Sequence, residues 1–318
     1  MLSQSKDIRT QLLSEYLEKK LQRKEFNGYF PSSTQKEKIF FKRSVPAEAT
    51  SSEEMINLYI IHGATEYHQR QSNLPEFLIK KNSSLYNINW LDFKGHGLSS
   101  GSRGHVDSFS EYEDDLLNFL NLNFLNEGKN TAKNYLVAHS MGGLVCLKLL
   151  LEKGPQLKRQ ISGIILANPC IKPQIKKTPF VLQTAKLLNN LGSFGKKLKF
   201  KNTTKGIELT SDVVQAKNYD TDPLILKELS LGYLHEIIQA SLEIRSLAYY
   251  IDIPCLFLFS GRDSVVDNQS GELFAKGIQE NLRQIQIYPE SQHDLFNDLG
   301  REKVFHDVHQ WLIKKSLV

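Results

Sequence analysis

The chain is poor in cysteine: Cys146, Cys170 and Cys255 are three among 318 residues, each in or beside an apolar run. So sparse and odd a set argues against a disulfide framework and reads as buried thiols. Long hydrophobic runs are missing too. No stretch approaches the length of a membrane-spanning helix, and the first twenty residues lack the unbroken apolar block of a secretory leader. A cytoplasmic chain is the expectation. There is no internal repeat and no low-complexity tract. Acid is missing from one place, Ile171 to Ile207, which carries nine lysines and neither Asp nor Glu. The remainder holds 31 basic against 35 acidic residues, so the formal net charge of +5 belongs to that one segment. A solvated insertion and a face that meets anionic lipid or phosphate both fit it. No nucleic-acid partner is expected.

What is present is ordinary globular material, 40% hydrophobic and 24% charged, enough for one large α/β domain or two smaller ones. Leu12, Leu13, Tyr16, Leu17 and Leu21 recur at helical spacing among charges. They predict an amphipathic helix over residues 1–24, packed on the outside. The β-prone runs Phe26 to Phe30 and Lys38 to Phe41 flank Pro31-Ser32-Ser33 and predict an antiparallel hairpin at a sheet edge. Short apolar runs then alternate with longer helix-like stretches, the rhythm of βαβ crossovers and a parallel sheet. Strands are predicted at Asn57 to Ile61, Tyr86 to Leu91, Asn134 to Val137, Gly163 to Ala167, Pro254 to Phe259 and Gln284 to Tyr288. Helices are predicted at Leu74 to Lys81, Tyr112 to Leu125, Gly142 to Lys153, Gln269 to Leu282 and Arg301 to Lys315. Residues 168–250 interrupt this rhythm, and an interruption of that length is a second domain or a lid. The expected division is a core of residues 25–167 and 251–318 with residues 168–250 as the insertion.

Parallel sheets collect active groups at the carboxyl ends of their strands, so the residues just after each strand carry the argument. Asn134 to Val137 runs into Ala138-His139-Ser140-Met141-Gly142-Gly143. A serine with small residues two before and two after fits a nucleophile elbow, the strained strand-to-helix corner that lifts a hydroxyl out of the sheet. Ala138 stands where the usual pattern has glycine and gives less backbone freedom. The same segment also fits a loop capped by Ser140 before a core helix. The first parallel strand ends in His62-Gly63-Ala64-Thr65-Glu66. Glycine there lets the loop approach the nucleophile, so the backbone N–H of Ala64 can point at a developing oxyanion beside that of Met141.

Ser260-Gly261-Arg262-Asp263 follows another strand and offers Asp263 as the acid. Asp267, one helical turn on, is either the rival acid or the cap of the next helix. His293 stands after the last strand as the base. The order Ser…Asp…His is that of the α/β-hydrolase triad. Among the other histidines, His139 is given a packing role, and His105 and His235 have no acid in register. His306 and His309 could chelate a metal only with ligands the sequence does not offer, and they read as a solvated helical face.

Ile61-His62-Gly63-Ala64, Leu91 to Ser99 (Leu-Asp-Phe-Lys-Gly-His-Gly-Leu-Ser), Arg103-Gly104-His105-Val106, the Ser140 segment and the strand ends at Asp263 and His293 together resemble the monoacylglycerol lipase and lysophospholipase group of α/β-hydrolases. The likeness covers roughly residues 55 to 315, and Asp220 to Leu224 resembles part of that group's cap. It implies a mostly parallel eight-stranded sheet flanked by helices, with a helical cap inserted after the sixth strand. Carried over, Ser140, Asp263 and His293 form the triad, Ala64 and Met141 supply the oxyanion donors, and Asp92 to Ser99 is structural. Acyl transfer from an ester of a single-chain lipid follows, with no metal or organic cofactor. A short-chain esterase, a peptidase of the same fold and an idle binding module are the rivals. The lysine-rich cap, with Phe180, Leu187, Leu188 and Leu191 for an acyl tunnel, would rest peripherally on an anionic inner membrane surface.

Overall fold

The computed structural model describes residues 23–47, 55–124, 132–153, 157, 159–174 and 195–317. The expected N-terminal helix lies outside them except for its last two positions, and Arg23 and Lys24 belong to the first strand instead. In chain order the elements are β1 (Arg23–Pro31), β2 (Lys38–Pro46), β3 (Ile56–Ile61), α1 (Asn73–Lys81), β4 (Tyr86–Leu91), α2 (Ser110–Phe124), β5 (Lys133–His139), α3 (Met141–Glu152) and β6 (Gly163–Ala167). There follow β7 (Lys199–Lys201), α4 (Val213–Thr221), β8 (Glu228–Ser230), α5 (Leu231–Ile244), β9 (Cys255–Ser260), α6 (Asn268–Lys276), β10 (Arg283–Tyr288) and α7 (Arg301–Ser316).

Eight strands form one sheet in the order β1-β2-β4-β3-β5-β6-β9-β10. The β1–β2 hairpin and the β2–β4 pair are antiparallel, and the remaining pairs are parallel. β3 and β6 are buried along their whole length, which requires cover on both faces. Successive side chains of β3 alternate accordingly. Tyr59 and Ile61 pack with Leu116 and Phe119 of α2 and Leu144 of α3, whereas Leu58 and Ile60 pack with Leu74 and Leu78 of α1 and Val304, Val308 and Trp311 of α7. In α7 the buried positions Val304, Phe305, Val308, Trp311 and Leu312 fall on one helical stripe. The predicted helix from Gln269 stops at Lys276 rather than at Leu282. Gly277 closes it, a residue that weakens a helix interior, and a short 3-10 turn occupies Glu280–Leu282.

Between β6 and β9 the described part of the insertion holds a helical turn at Gly206–Leu209, α4, α5 and an antiparallel ribbon of β7 with β8. The insertion is therefore not purely helical. Lys199 and Lys201 are exposed and Phe200 between them is half-buried, the period of two that a strand requires. Asp212 caps α4 by accepting from the amides of Val214 and Gln215, and Ser230 caps α5 by accepting from that of Tyr233. The insertion is strapped to the core by backbone bonds from Leu226 N to Thr65 O (3.0 Å), Ser230 N to Gly104 O (2.9 Å) and Asp294 N to Leu209 O (2.8 Å).

Register places the ends of the strands level. Ile61 of β3 faces Ala138 of β5, His139 faces Ala167 of β6, and Ser260 of β9 faces Tyr288 of β10. The residues that follow each strand therefore meet at one edge of the sheet.

Candidate active site

Ser140 turns the chain from β5 into α3 with φ 52° and ψ −118°, a conformation a non-glycine residue holds only under restraint. The restraint is local and specific. Its N–H donates to the Ala167 carbonyl (3.0 Å), and its carbonyl accepts from the amides of Gly143 (3.0 Å) and Cys170 (2.9 Å). Gly142 must be glycine, because a Cβ there would lie 2.6 Å from the His62 carbonyl oxygen and 2.7 Å from that of Ile61. Ala138 carries no such conflict; it lies fully buried in β5, so the departure from glycine two residues before the serine is accommodated in the strand.

His293, on the loop after β10, brings Nε2 to 3.0 Å from Ser140 Oγ and Nδ1 to 2.8 Å from Asp263 Oδ2. The side chains of His293 and Asp263 are 3% and 2% exposed. The second oxygen of Asp263 accepts from the amides of Val265 (2.7 Å) and Val266 (2.9 Å). Burial by itself raises the Asp263 pKa, but His293 and those two amides carry it below the ordinary carboxylate value. An ionised carboxylate at Nδ1 places the imidazole proton there and leaves Nε2 free to accept from the serine hydroxyl. Asp267 does not join this group. It caps α6 through Ser270 N (3.3 Å) and pairs with Lys172 (2.7 Å).

The loop after β3 lies against the serine. A Cβ on Gly63 would stand 2.8 Å from Glu66 Oε1 and 3.2 Å from Ser140 Cβ, so glycine is what lets the two segments meet. Ala64 lines a cleft together with Ser140, His293 and, from the insertion, Thr204, Leu209 and Tyr219. Met141 opens α3, where first-turn amides have no partner within the helix. The Asp92 carboxylate accepts from the amides of His68 (2.7 Å) and Leu98 (2.8 Å), which fixes the Asp92 to Ser99 loop.

His139 corrects the packing role assigned to it above. Its Nδ1 stands 2.6 Å from Glu66 Oε1, and its Nε2 donates to the His293 carbonyl (3.2 Å). Burial by itself lowers the His139 pKa, yet the Glu66 charge wins and raises it to about 9, so His139 is a buried imidazolium. Glu66 also accepts from Gly63 N (2.7 Å) and Gln71 Nε2 (2.9 Å). Asn168, with φ 44°, donates from Nδ2 to the same His293 carbonyl (2.7 Å). Arg70 pairs with Asp294, the residue after His293, at 2.9 Å. Sequence reasoning missed this supporting layer: Glu66 and His139 are 73 positions apart, and no local spacing announces their pairing.

His105, His306 and His309 lie elsewhere. His105 does have an acid, Asp107 Oδ1 at 3.2 Å, but its other nitrogen faces Ser230 Oγ at 2.7 Å, away from the cleft. His309 Nδ1 meets the Tyr86 hydroxyl at 2.8 Å, and His306 packs on Phe77. Among the described residues no group of three or more His, Cys, Asp or Glu side chains is placed to hold a metal ion, and no helix is long and apolar enough to cross a membrane.

A mostly parallel sheet of eight strands with serine, carboxylate and histidine at its carboxyl edge defines the class: an α/β-hydrolase. The family profile described as serine aminopeptidase, S33, matches residues 53–300, and the chain belongs to that family. Phospholipase YtpA of Bacillus subtilis (strain 168) is 29% identical over 255 residues, covering 78% of this chain and 91% of that protein. Monoacylglycerol lipase of Mycolicibacterium smegmatis is 22% identical over 256 residues, covering 80% and 86%. Among solved structures, a soluble variant of monoglyceride lipase from Saccharomyces cerevisiae in complex with a substrate analog matches with a TM-score of 0.77, at 22% identity, over 91% of this chain and 94% of that one.

Proposed function

We propose that the chain hydrolyses carboxylic esters of single-chain lipids, lysophospholipid or monoacylglycerol, through an acyl-enzyme on Ser140. The observation that carries this is the pair of contacts at His293, 3.0 Å to the serine hydroxyl on one side and 2.8 Å to an ionised Asp263 on the other. Ser140 attacks the ester carbonyl as His293 takes its proton, and Asp263 holds the imidazolium that forms. The amides of Ala64 and Met141 receive the negative oxygen. His293 returns the proton to the leaving alcohol, and water, deprotonated by the same imidazole, releases the acid. The lipid class is supported by the names of the relatives, a phospholipase and a monoacylglycerol lipase. Peptide hydrolysis is the second reading, favoured by the family's description. A panel of monoacylglycerol, lysophosphatidylcholine, short nitrophenyl esters and prolyl amides decides between them. Turnover of the lipids with inert prolyl amides is expected, and the reverse would overturn the lipid assignment.

The insertion over residues 168–250 serves in this reading as a cap that rests on an anionic membrane surface. Its apolar positions from Phe180 to Phe194 lie outside the described residues. Of its lysines, Lys172 and Lys196 are engaged by Asp267 and Glu236, whereas Lys197, Lys199, Lys201 and Lys205 are exposed. Each lysine close to such a surface contributes about 1 kcal/mol, screened by salt. Changing those four to Gln should abolish co-sedimentation with anionic vesicles at low salt. Unchanged binding would sink the docking idea and leave the triad untouched.

A further inference from the structure

Tyr233, the third residue of α5, is 1% exposed and sits where the insertion meets the loop after β3. Its hydroxyl donates to the Ala64 carbonyl and stands 3.2 Å from Met141 Sδ and 3.1 Å from His96 Nε2. One hydroxyl thus touches both residues whose amides face the oxyanion in the reading above. It comes from an element that supplies none of Ser140, Asp263 or His293.

Two rigid peptide planes flank the Ala64 α-carbon. The first carries the Ala64 N–H and, at its other end, the Gly63 carbonyl, which lies 2.8 Å from His62 Nδ1. The second carries the Ala64 carbonyl. Fixing both carbonyls fixes φ and ψ of Ala64, and with them the direction of its amide. His96 also reaches the Ala64 carbonyl, Nε2 to oxygen 2.7 Å, but its Nδ1 faces the Lys94 carbonyl at 2.9 Å. A neutral imidazole has one N–H to share between those two oxygens. Burial pushes His96 down to about 3, so the ring is neutral at working pH. With the proton on Nδ1, the Ala64 carbonyl depends on Tyr233; with the proton on Nε2 it has both donors. Tyr233 serves it in either tautomer.

We propose that Tyr233 is a positioning residue of the oxyanion hole, holding the Ala64 peptide so that its N–H faces the oxygen that becomes negative when Ser140 attacks. The proposal rests on the reading of Ser140 as nucleophile and Ala64 as donor. It also gives the insertion a part in catalysis. The loop is gripped at two further points, by Leu226 N on the Thr65 carbonyl (3.0 Å) and by the Tyr219 hydroxyl at Thr65 Oγ1 (2.8 Å), so displacing the insertion would slacken the oxyanion loop.

Tyr233→Phe keeps the ring and removes the hydroxyl. With a nitrophenyl ester, kcat should fall about tenfold with KM within about twofold, because outright loss of an oxyanion donor costs about 100- to 1000-fold and a misaimed donor costs part of that. Affinity for a trifluoromethyl ketone, which forms a tetrahedral adduct on the serine, should fall by the same factor, while the thermal midpoint moves little. Tyr233→Leu, which removes the ring as well, should lose activity and stability together. Wild-type kcat and ketone affinity in Tyr233→Phe, with losses confined to Tyr233→Leu, would overturn the proposal and leave Tyr233 a packing residue. A wild-type protein that a fluorophosphonate fails to label at Ser140 is a different result, and it would overturn the active-site reading on which the proposal rests.

Discussion

At the scale of the residue, the proposed chemistry turns on which histidine touches the serine and which carboxylate touches that histidine. Ser140→Ala should abolish ester hydrolysis and leave the fold intact, since it removes a hydroxyl from a turn and no core volume, and His293→Ala should be comparably damaging because such residues act as a unit. Retention of a tenth of wild-type turnover by Ser140→Ala would contradict the assignment. Asp263→Asn should lower kcat by orders of magnitude by favouring the wrong tautomer of His293, to which Asp263 stands at 2.8 Å. Asp267→Asn should leave kcat within a few-fold, since that side chain caps α6. Kinetics of the two variants side by side test this, and reversed sizes would move the acid to Asp267. That Ser140, Asp263 and His293 meet was legible in the sequence because each follows a strand and the three come in a telling order. His139 was misread for the opposite reason: its meaning lies in Glu66, brought beside it by the pairing of β3 with β5.

Elements explain how that buried pair is held and what it does. Glu66 lies in the loop after β3 and His139 at the end of the adjacent β5, and His139 passes the contact on to the His293 carbonyl. His139 is raised to about 9 against about 6.5 unfolded, so its contribution to stability is complete below pH 6.5 and is lost as pH rises toward 9. Glu66 runs the other way. Burial raises its pKa, but His139 carries it below the ordinary value, and that contribution is lost as pH falls through the acid range. Glu66→Gln should therefore lower the thermal midpoint by several degrees near pH 6, with the gap to wild type narrowing by pH 9. A gap independent of pH would contradict the ion pair. Helix α7 offers a simpler test. Trp311 is 3% exposed and packs edge-on against Tyr135 of β5, so Trp311→Ala should cost about 3–5 kcal/mol in denaturant unfolding while sparing the geometry around Ser140. Boundaries were the least legible feature at this scale. The helix from Gln269 was drawn past Gly277, and the β7–β8 ribbon went unseen because three-residue strands leave too short a pattern to read.

For the whole molecule, the alternating rhythm of strand-length and helix-length runs was enough to specify a parallel sheet, and the hairpin at its edge was visible from two β-prone runs around a turn. Strand order was not, since nothing local to β4 says that it lies between β2 and β3. The insertion was expected from a break in that rhythm. Its contacts with the loop after β3 through Tyr219, Leu226 and Tyr233 were not legible, because they join residues more than 150 positions apart. The fold thus gathers Ser140, Asp263 and His293 from three strand ends, beside a cleft that Thr204, Leu209 and Tyr219 of the insertion also line. Whether this assembly works through an acyl group on Ser140, as proposed, is read most directly from peptide mass after acid quench of a turnover mixture with a monoacylglycerol or lysophospholipid. The acyl mass is expected on the peptide that carries Ser140 in wild type, accumulating in variants slowed in deacylation and absent from Ser140→Ala; turnover with no acyl-peptide in any of them, or with the acyl group on another residue, would rule out Ser140 as the nucleophile.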